Sequence, residues 1–172
     1  MIRSVSDSAF RAALSHFASG VTIVTARGAH EPVGFTATGF TSLSLTPPLV
    51  LVCVSKTASA YDGVLGAERF GVSVLGEGQR WVAEQFARSG IDRFRNVPLS
   101  VDPGTAVPLI EGALARLECE RHAQHDAGDH TILIGRVAFA ATVAGRPLVH
   151  FGRRFGAFVE DEPPPRARHS PP

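Results

Sequence analysis

The sequence predicts a mainly β fold with helical decoration, in the form of a closed or nearly closed antiparallel barrel. Six or seven segments have the alternation or the β-branched composition of strands, whereas only two segments have clear helical spacing. No Gly-x-Gly-x-x-Gly motif follows a strand-like segment, so a doubly wound dinucleotide-binding sheet is not expected. With 172 residues, 44% of them hydrophobic, the chain is long enough for one core, and we expect one domain over residues 1–160.

Charge and composition exclude several classes of partner. The formal net charge is +1 and no basic cluster interrupts the body of the chain, so neither nucleic acid nor an anionic membrane is an expected partner. No apolar run approaches the length of a membrane span, and the first residues are too polar for a signal peptide, which predicts a cytoplasmic protein. Cys53 and Cys119 are interpreted as small buried hydrophobes in a reducing compartment. Residues 161–172 are polar and proline-rich, and we expect a disordered tail.

The first elements are a helix and a hairpin. Apolar residues recur at helical spacing between Ser4 and Ser19, and Gly20 follows as a stop signal, so we expect a short amphipathic helix with one face packed inward. The β-branched segment Val21–Ala26 predicts a strand. The residues Arg27–His30 then form the turn of a first hairpin.

The stretch from Gly34 to Val54 sets a row of hydroxyls against a buried apolar strand. Even positions between Thr36 and Thr46 are mostly Thr or Ser, and odd positions are mostly apolar. Two interpretations stay open: a half-solvated sheet face, or a surface that holds a polar ligand. Gly39 marks a bulge or a close approach of a ligand to the backbone. After the turn at Pro47, the apolar run that ends at Val54 predicts a strand covered on both faces.

The middle of the chain adds a polar loop, a strand and a helix. Three hydroxyls and one ammonium gather in the segment 55–59, which suits either an anion site or a solvated loop with a helix cap. Phe70–Leu75 predicts a strand, and Gln79–Ser89 predicts a helix that ends at Gly90. The proline-containing segment Ile91–Leu109 predicts an irregular crossing or a lid.

The last third predicts a long hairpin and one further strand. Ala113–His122 and Thr131–Val143 both alternate apolar with polar residues, and an eight-residue polar connection, Ala123–His130, separates them. Leu148–Phe151 predicts the last strand.

The connection between these two strands is rich in groups that can carry chemistry. His122, His125, Asp126, Asp129 and His130 fall within nine residues. A metal site is one interpretation, but the spacing matches no standard ligand motif, and we predict no metal. A simple polar turn is the second interpretation. The third is that one imidazole points into a ligand pocket, oriented by the neighbouring carboxylate.

Six blocks of sequence occur in an order and at a spacing that are specific to one family. They read FASGVTIVTA, GFTATGFTSLSLTPPLVLVCV, FGVSVL, LECE, GDHTILIGRV and PLVHFGRRFG. With these blocks the chain resembles the flavin reductase-like family over about residues 8–158. The resemblance implies a split β-barrel of the FMN-binding type and a homodimer. It also implies an NAD(P)H:flavin oxidoreductase that reduces FMN or FAD with NADH or NADPH and supplies the reduced flavin to a partner monooxygenase.

The same resemblance implies roles for individual residues in flavin binding. One block matches the family segment along the edge of the flavin ring and its continuation, another matches the segment that holds the ribityl phosphate, and an aromatic residue lies near the flavin. The residues concerned are Thr36, Ala37, Thr38, Gly39, Thr41 and Ser42 for the ring, Ser55, Lys56 and Ser59 for the phosphate, and Phe86 as the aromatic. A core role for Phe86 is an open alternative.

The nicotinamide side is assigned from the two remaining blocks. His130 is similar to the family histidine near the nicotinamide, with Asp129 beside it, and Arg154 would assist with phosphate or ribose. Hydride transfer to flavin N5 depends on stacking and proximity more than on acid-base catalysis, so these residues would orient the dinucleotide. Gly39 stands where the family usually has Ser or Ala, which leaves FMN against FAD open. The alternative function is a non-catalytic flavin- or haem-binding protein on the same fold.

Overall fold

The structure is a computed structural model, and it describes residues 5–101 and 106–160. Three α-helices occur in these residues, α1 (Asp7–Ser15), α2 (Tyr61–Gly66) and α3 (Arg80–Phe86), and a 3-10 turn, Glu77–Gln79, leads into α3. The strands are β1 (Ser19–Gly20), β2 (Thr22–Arg27), β3 (Pro32–Ala37), β4 (Phe40–Leu45), β5 (Pro48–Ser55), β6 (Arg69–Val74), β7 (Leu99–Val101), β8 (Pro108–Ile110), β9 (Ala115–Ala127), β10 (His130–Thr142), β11 (Leu148–Phe151) and β12 (Arg154–Ala157). The mainly β fold with helical decoration is confirmed.

Seven strands form one antiparallel sheet in the order β3-β2-β6-β9-β10-β5-β4. Its two edge strands, β3 and β4, are consecutive in the chain, but the ladders of the described residues do not join them. The sheet is therefore split rather than closed, as the resemblance implied, and of the two forms that the strand pattern left open only the fully closed one is excluded. Two small sheets, β1-β11-β12 and β7-β8, complete the strand set of the described chain.

The hydroxyl-rich stretch forms two strands instead of one. β3 ends at Ala37, β4 begins at Phe40, and Thr38 and Gly39 link them outside either strand. The slip of the alternation after Gly39 in the sequence coincides with this break. The link therefore divides the row of hydroxyls. Thr36 lies on β3 and Thr38 lies in the link, whereas Ser42 and Ser44 lie on β4.

The long hairpin is confirmed, but its predicted eight-residue connection is wrong. β9 continues to Ala127 and β10 begins at His130, so that only Gly128 and Asp129 form the turn. Gly128 has a φ of 68°, which suits a tight turn. The polar residues before the turn belong to a strand because this end of the hairpin lies in solvent, where the ladder forms without an apolar face.

Two clusters of buried residues form the core, and β2 contributes to both. Val24 packs in the cluster within the curve of the seven-stranded sheet, together with Phe70 and Leu133. Ile23 points to the other side, into the cluster under α3 that contains Phe86. Alternate side chains of β2 thus enter different cores, which accounts for the burial of the whole segment 22–26.

The strand β5 has one buried face and one half-buried face. Val50, Val52 and Val54 are buried, whereas Leu51 and Cys53 between them are partly exposed. The expectation that both faces are covered is therefore wrong for this chain by itself. On the partly exposed face, Cys53 lies against Gly39 of the link, and the described residues leave this face half-buried.

The first helix is shorter than predicted and does not pack inward. α1 has Ser6 as its N-cap, and the Ser6 hydroxyl accepts a hydrogen bond from the Ala9 amide. None of its residues is buried, and Phe10 and Leu14 are more than half exposed. The apolar face predicted from the spacing exists, but no described element of this chain covers it.

No helix in the described part of the chain is both long enough and apolar enough to cross a membrane. The tail predicted for residues 161–172 lies outside the described residues, as does the part of the predicted crossing segment at 102–105. The rest of that segment contains β7 and β8.

Candidate functional site

A cavity of about 540 Å³ opens beside the link between β3 and β4. Six of its lining residues carry a hydroxyl, and we call it the hydroxyl-lined cavity. The described residues that line it are Phe35, Thr36, Ala37, Thr38, Gly39, Cys53, Ser55, Thr57, Ala58, Ser59, Phe86, Ala87, Ser89, Arg93 and His130. Its volume lies in the range that is typical of small-molecule sites. The structure therefore brings residues of the predicted ring segment, phosphate segment and histidine turn to one place.

The end of β3 forms the floor of the cavity, and side-chain hydrogen bonds join it to α3 on one side and to β2 on the other. The Thr36 hydroxyl donates to the Ala83 carbonyl on α3 at 2.6 Å, and the Thr22 hydroxyl donates to the Ala37 carbonyl at 3.0 Å. Because the Thr36 hydroxyl donates its proton within the protein, it can meet a ligand only as a hydrogen-bond acceptor. Thr38 lies two residues further along the chain, in the link outside the strands, and also lines the cavity.

Gly39 brings the link close to β5. The Cys53 amide donates to the Gly39 carbonyl at 2.8 Å, and a Cβ added at Gly39 would lie 3.1 Å from Cys53 Cβ. The absence of a side chain thus allows the two strands to approach at the cavity floor. Cys53 is half-buried and lines the cavity, whereas Cys119 is buried and burial raises the pKa of its thiol to about 12. The interpretation of both cysteines as buried hydrophobes holds for Cys119 alone.

One side of the cavity, which we call the core wall, consists of Phe86, Ala87, Ser89 and Arg93. Phe86 is fully buried, and its ring packs edge to face against Phe94 with centroids 4.9 Å apart. Phe86 therefore has the core position of the second alternative, and it also lines the cavity; its contact with a flavin stays a prediction. The Gln85 side-chain amide holds the following loop by donating to the carbonyls of Arg93 and Arg95.

The other side, the outer wall, consists of Ser55, Thr57, Ala58, Ser59 and His130. His130 pairs with Ser55 in the ladder between β10 and β5, which places the imidazole beside the polar loop. Its Nδ1 lies 2.7 Å from Asp129 Oδ1, and this hydrogen bond is the main reason that the pKa of Asp129 is lowered. The imidazole is thus oriented by the carboxylate, and its Nε2 remains available to a ligand.

Lys56 does not line the cavity. Its ammonium lies 2.5 Å from Asp126 Oδ2 and 2.7 Å from the Gly128 carbonyl, and its backbone amide donates to the Asp129 carbonyl. The hydrogen bond to Asp126 raises the pKa of Lys56 and lowers the pKa of Asp126. In the structure, Lys56 therefore joins the polar loop to the turn that carries His130.

Three further predicted residues lie apart from the hydroxyl-lined cavity. Thr41 and Ser42 are exposed on β4, and the Thr41 hydroxyl contacts the Ser42 carbonyl at 3.3 Å. Arg154 is exposed on β12, in the small sheet with β11. The structure brings none of the three to the lining: β4 contributes no residue to it, and β12 belongs to a different sheet.

A second cavity, of about 660 Å³, adjoins the first at Thr38 and Gly39. We call it the helix cavity because α1 supplies Phe10, Arg11 and Leu14 to its lining. The closing block of the sequence contributes Arg153 to it, rather than the predicted Arg154. The two cavities share these two link residues, so the hydroxyl-rich lining of the first cavity adjoins the lining that α1 supplies to the second.

Sequence reasoning missed several residues of the lining. They are Phe35, Cys53, Thr57, Ala58, Ala87, Ser89 and Arg93. Thr57 and Ala58 lie within the predicted polar loop and could have been included with it. Arg93 lies in a segment without periodicity, so only the folded structure shows that it reaches the cavity.

The chemistry of the lining fits a flavin. The apolar ring of Phe86 and the hydroxyls of the loops suit a ligand with an aromatic part and a polyol part, and Arg93 suits a phosphate. No carboxylate is among the described lining residues, and no cluster of three or more His, Cys, Asp or Glu able to hold a metal occurs in residues 5–101 and 106–160. The site can therefore hold and orient an anionic, aromatic ligand.

A family model described as "Flavin reductase like domain" matches residues 14–158. The chain is 43% identical over 149 residues to "FMN reductase (NADH) SmoA" of Agrobacterium fabrum, covering 87% of this chain and 84% of that protein. It is also 43% identical over 155 residues to the "4-hydroxyphenylacetate 3-monooxygenase, reductase component" of Thermus thermophilus, covering 88% of this chain and 96% of that protein.

A similar solved structure is the Streptomyces globisporus "NADH:FAD oxidoreductase SgcE6 in complex with NAD and FAD fragments". It superposes with a TM-score of 0.84 at 40% identity, over 92% of this chain and 99% of that chain. The family match includes the whole seven-stranded sheet and the lining of the hydroxyl-lined cavity, whereas Phe10 and Arg11 of the helix cavity precede its first residue.

Proposed function

This chain belongs to the flavin reductase-like family, and we propose that it oxidises NADH or NADPH, reduces FMN or FAD, and supplies the reduced flavin to a partner monooxygenase. The observation that carries the proposal is the hydroxyl-lined cavity, which brings together His130 and the segment Thr36–Gly39, which the resemblance assigns to the flavin ring. The similarity to a named NADH-dependent FMN reductase and to a monooxygenase reductase component supports the same reaction.

The residues of the cavity would bind and orient, and the flavin would supply the redox chemistry by accepting a hydride. The backbone of Thr36–Gly39 and the Thr38 hydroxyl would hold the ring system against Phe86. Ser55 and Ser59 on the outer wall would hydrogen-bond the ribityl and phosphate part. Thr41, Ser42 and Arg154, which lie outside this lining, could then contribute only from a second layer or from an interface.

His130 would position the nicotinamide. Asp129 accepts the Nδ1 proton, so the Nε2 of the neutral imidazole can accept a hydrogen bond from a carboxamide N–H at the mouth of the cavity. The side chain is 42% exposed, so a ligand can reach it without displacing the core. In this role His130 orients the dinucleotide and transfers no proton, in keeping with a hydride transfer that depends on proximity.

A homodimer would cover the apolar surface of α1. Phe10, Leu14 and Phe17 are all more than half exposed, and Phe151 beside the helix cavity is exposed as well. Exposed apolar residues clustered on one face are typical of an interface, and a second copy is the occupant that a homodimeric family would provide. Sedimentation equilibrium of the wild type and of Phe17→Asp tests this: a monomeric wild type would contradict it.

A cytoplasmic location fits this function, because NADH is produced there and free thiols such as Cys53 and Cys119 stay reduced there. We further propose that residues 1–160 form the domain and that residues 161–172 are an appended tail. Truncation at residue 160 should then leave flavin reduction unchanged.

Anaerobic oxidation of NADH by the purified protein tests the reaction directly. With added FMN or FAD, the nicotinamide absorbance and the flavin absorbance should fall together, and the rate should scale with the added flavin. Without flavin, or with NADH replaced by NAD⁺, no change is expected. Bound flavin that is not bleached by NADH or NADPH would favour the alternative, a non-catalytic flavin- or haem-binding protein.

A further inference from the structure

We propose that the Arg93 guanidinium binds the phosphate on the ribityl chain of the flavin, a role that the sequence suggested for Lys56. The inference rests on the proposed function only in taking a flavin as the ligand of the hydroxyl-lined cavity. It concerns the residue that recognises the anionic part of that ligand, and it follows from the charge, the hydrogen bonds and the position of Arg93.

Arg93 is the one permanently charged side chain among the described residues of the cavity lining. No Asp or Glu in that lining opposes it. A phosphate that enters the cavity therefore meets one full positive charge and several neutral hydroxyls. A charge-assisted hydrogen bond from a guanidinium is the strongest interaction that this set of side chains can offer to a phosphate.

The guanidinium is held in place by the protein and keeps donors free. Its Nε donates to the Arg88 carbonyl at 2.7 Å and its Nη1 donates to the Gly34 carbonyl at 3.0 Å. A guanidinium has five N–H groups, so about three remain without a partner among the described residues. Two backbone carbonyls thus fix the orientation of the group before a ligand arrives, which lowers the entropy cost of binding.

The position of Arg93 agrees with the shape of a flavin. The cavity borders the helix cavity at Thr38 and Gly39, where the ring segment lies. It borders a third, smaller cavity at Ser59 and Arg93. The ring segment and Arg93 therefore adjoin different neighbouring cavities, as expected if the ring system and the phosphate, separated by the ribityl chain, occupy opposite parts of one site.

The Lys56 ammonium already has other hydrogen-bond partners in the structure. Its ammonium contacts the Asp126 carboxylate and the Gly128 carbonyl, and it lies outside the cavity lining. To bind a phosphate in the cavity it would have to leave a carboxylate at 2.5 Å. Arg93 needs no such rearrangement.

The test compares the binding of FMN with that of riboflavin, which has the same ring and ribityl chain without the phosphate. Dissociation constants are measured by flavin fluorescence for the full chain and for Arg93→Gln. The variant should bind FMN roughly 10- to 100-fold more weakly, the range expected for the loss of hydrogen bonds to a charged group, and should bind riboflavin as the wild type does. An equal loss for both flavins would overturn the inference, since it would indicate a structural role.

Two further variants are the matched controls. Arg95→Gln removes the same charge two positions away, from an exposed side chain outside the cavity, and should leave the preference for FMN intact. Lys56→Gln removes the cation that the sequence suggested. Loss of the preference in Lys56→Gln and not in Arg93→Gln would assign the phosphate to Lys56. A higher KM for NADH in Arg93→Gln, with the FMN preference unchanged, would assign Arg93 to the dinucleotide. Both results would overturn the inference.

A measurement on the wild type keeps the test decisive if Arg93→Gln does not fold. Inorganic phosphate should weaken the binding of FMN and not that of riboflavin, when compared with sodium chloride at the same ionic strength. Arg93→Lys, which keeps the charge, should retain part of the preference. A wild type that binds neither flavin contradicts the proposed function as well, whereas a wild type that binds both equally contradicts the inference alone.

Discussion

The core wall and the outer wall of the hydroxyl-lined cavity face the same space but are held by different forces. The core wall is anchored by Phe86, a fully buried ring between Phe94 and the sheet. The outer wall is joined to the hairpin turn by exposed charges, Lys56 with Asp126 and His130 with Asp129. Burial of an aromatic side chain contributes several-fold more than an exposed ion pair. We therefore expect the core wall to determine stability and the outer wall to adjust binding.

Phe86→Ala should have the largest effect. The substitution removes a fully buried ring from a core cluster, and we expect a loss of about 3–5 kcal/mol in the free energy of unfolding. Urea denaturation followed by circular dichroism measures it. Trp81→Ala, on the exposed side of the same helix, is the control and should cost much less. A similar loss in both variants would contradict the difference between the walls.

Gly34→Ala tests the same wall from the strand that faces it. A Cβ at this position would lie 2.9 Å from Phe86 Cε1 and 2.9 Å from the Val24 carbonyl oxygen. The ring and the backbone cannot both move away, and overpacking of this kind costs about 1–3 kcal/mol. Gly66→Ala is the control, since nothing lies within 4 Å of its added Cβ. Equal unfolding midpoints of the two variants would show that the contact between β3 and α3 is looser than these distances indicate.

His130→Ala should alter binding and not stability. Loss of one hydrogen bond to the nicotinamide predicts a KM for NADH about 2- to 10-fold higher, with little change in the dissociation constant of FMN. His125→Ala, on an exposed position of the same hairpin, is the control. Steady-state kinetics with saturating flavin measures the effect. Weaker flavin binding with normal NADH kinetics would show that His130 serves the flavin instead.

The pair of Lys56 and Asp126 should have the smallest effect, and it depends on pH in a defined way. The pKa of Asp126 is lowered from 3.8, so its stabilising effect is present above that pH and is lost as the pH falls through the folded-state pKa. The pKa of Lys56 is raised from 10.5, so its effect is present below that pH and is lost as the pH rises through the folded-state pKa.

The difference in unfolding midpoint between wild type and Asp126→Asn should therefore be small and constant between these two limits. It should diminish in acid, and also in about 1 M salt, which screens exposed charges. The Lys56→Gln and Asp126→Asn double-mutant cycle isolates the pair. A large, salt-independent coupling would mean that the outer wall is held as firmly as the core wall.

The sequence predicted the parts of the site that are continuous in the chain. The segment Thr36–Gly39 was recognised from its pattern and from the resemblance, and it forms the floor of the cavity. The short distance between Asp129 and His130 also follows from their adjacency. The resemblance implied the split sheet, whereas the strand pattern alone left a closed and a nearly closed barrel open, because the pairing of the edge strands β3 and β4 is not encoded in a local pattern.

The positions of cations could not be predicted in the same way. Lys56 and Arg93 are both polar residues in irregular segments, and nothing in their neighbours along the chain distinguishes a ligand-binding cation from an ion-paired one. Lys56 is committed because β9 continues to the turn and brings Asp126 next to it, a contact 70 residues apart. Arg93 reaches the cavity because Gly34, 59 residues earlier, accepts its hydrogen bond.

By itself, the sequence determined the mainly β class, the order of the strands along the chain, the amphipathic first helix and the family, since these depend on local periodicity and on blocks of adjacent residues. Only the tertiary structure decided that the helix has an uncovered apolar face and which cation faces the cavity. Those properties depend on contacts between residues that are distant in the chain. Whether a side chain is buried, hydrogen-bonded or ion-paired depends on its neighbours in space, which the local sequence does not specify.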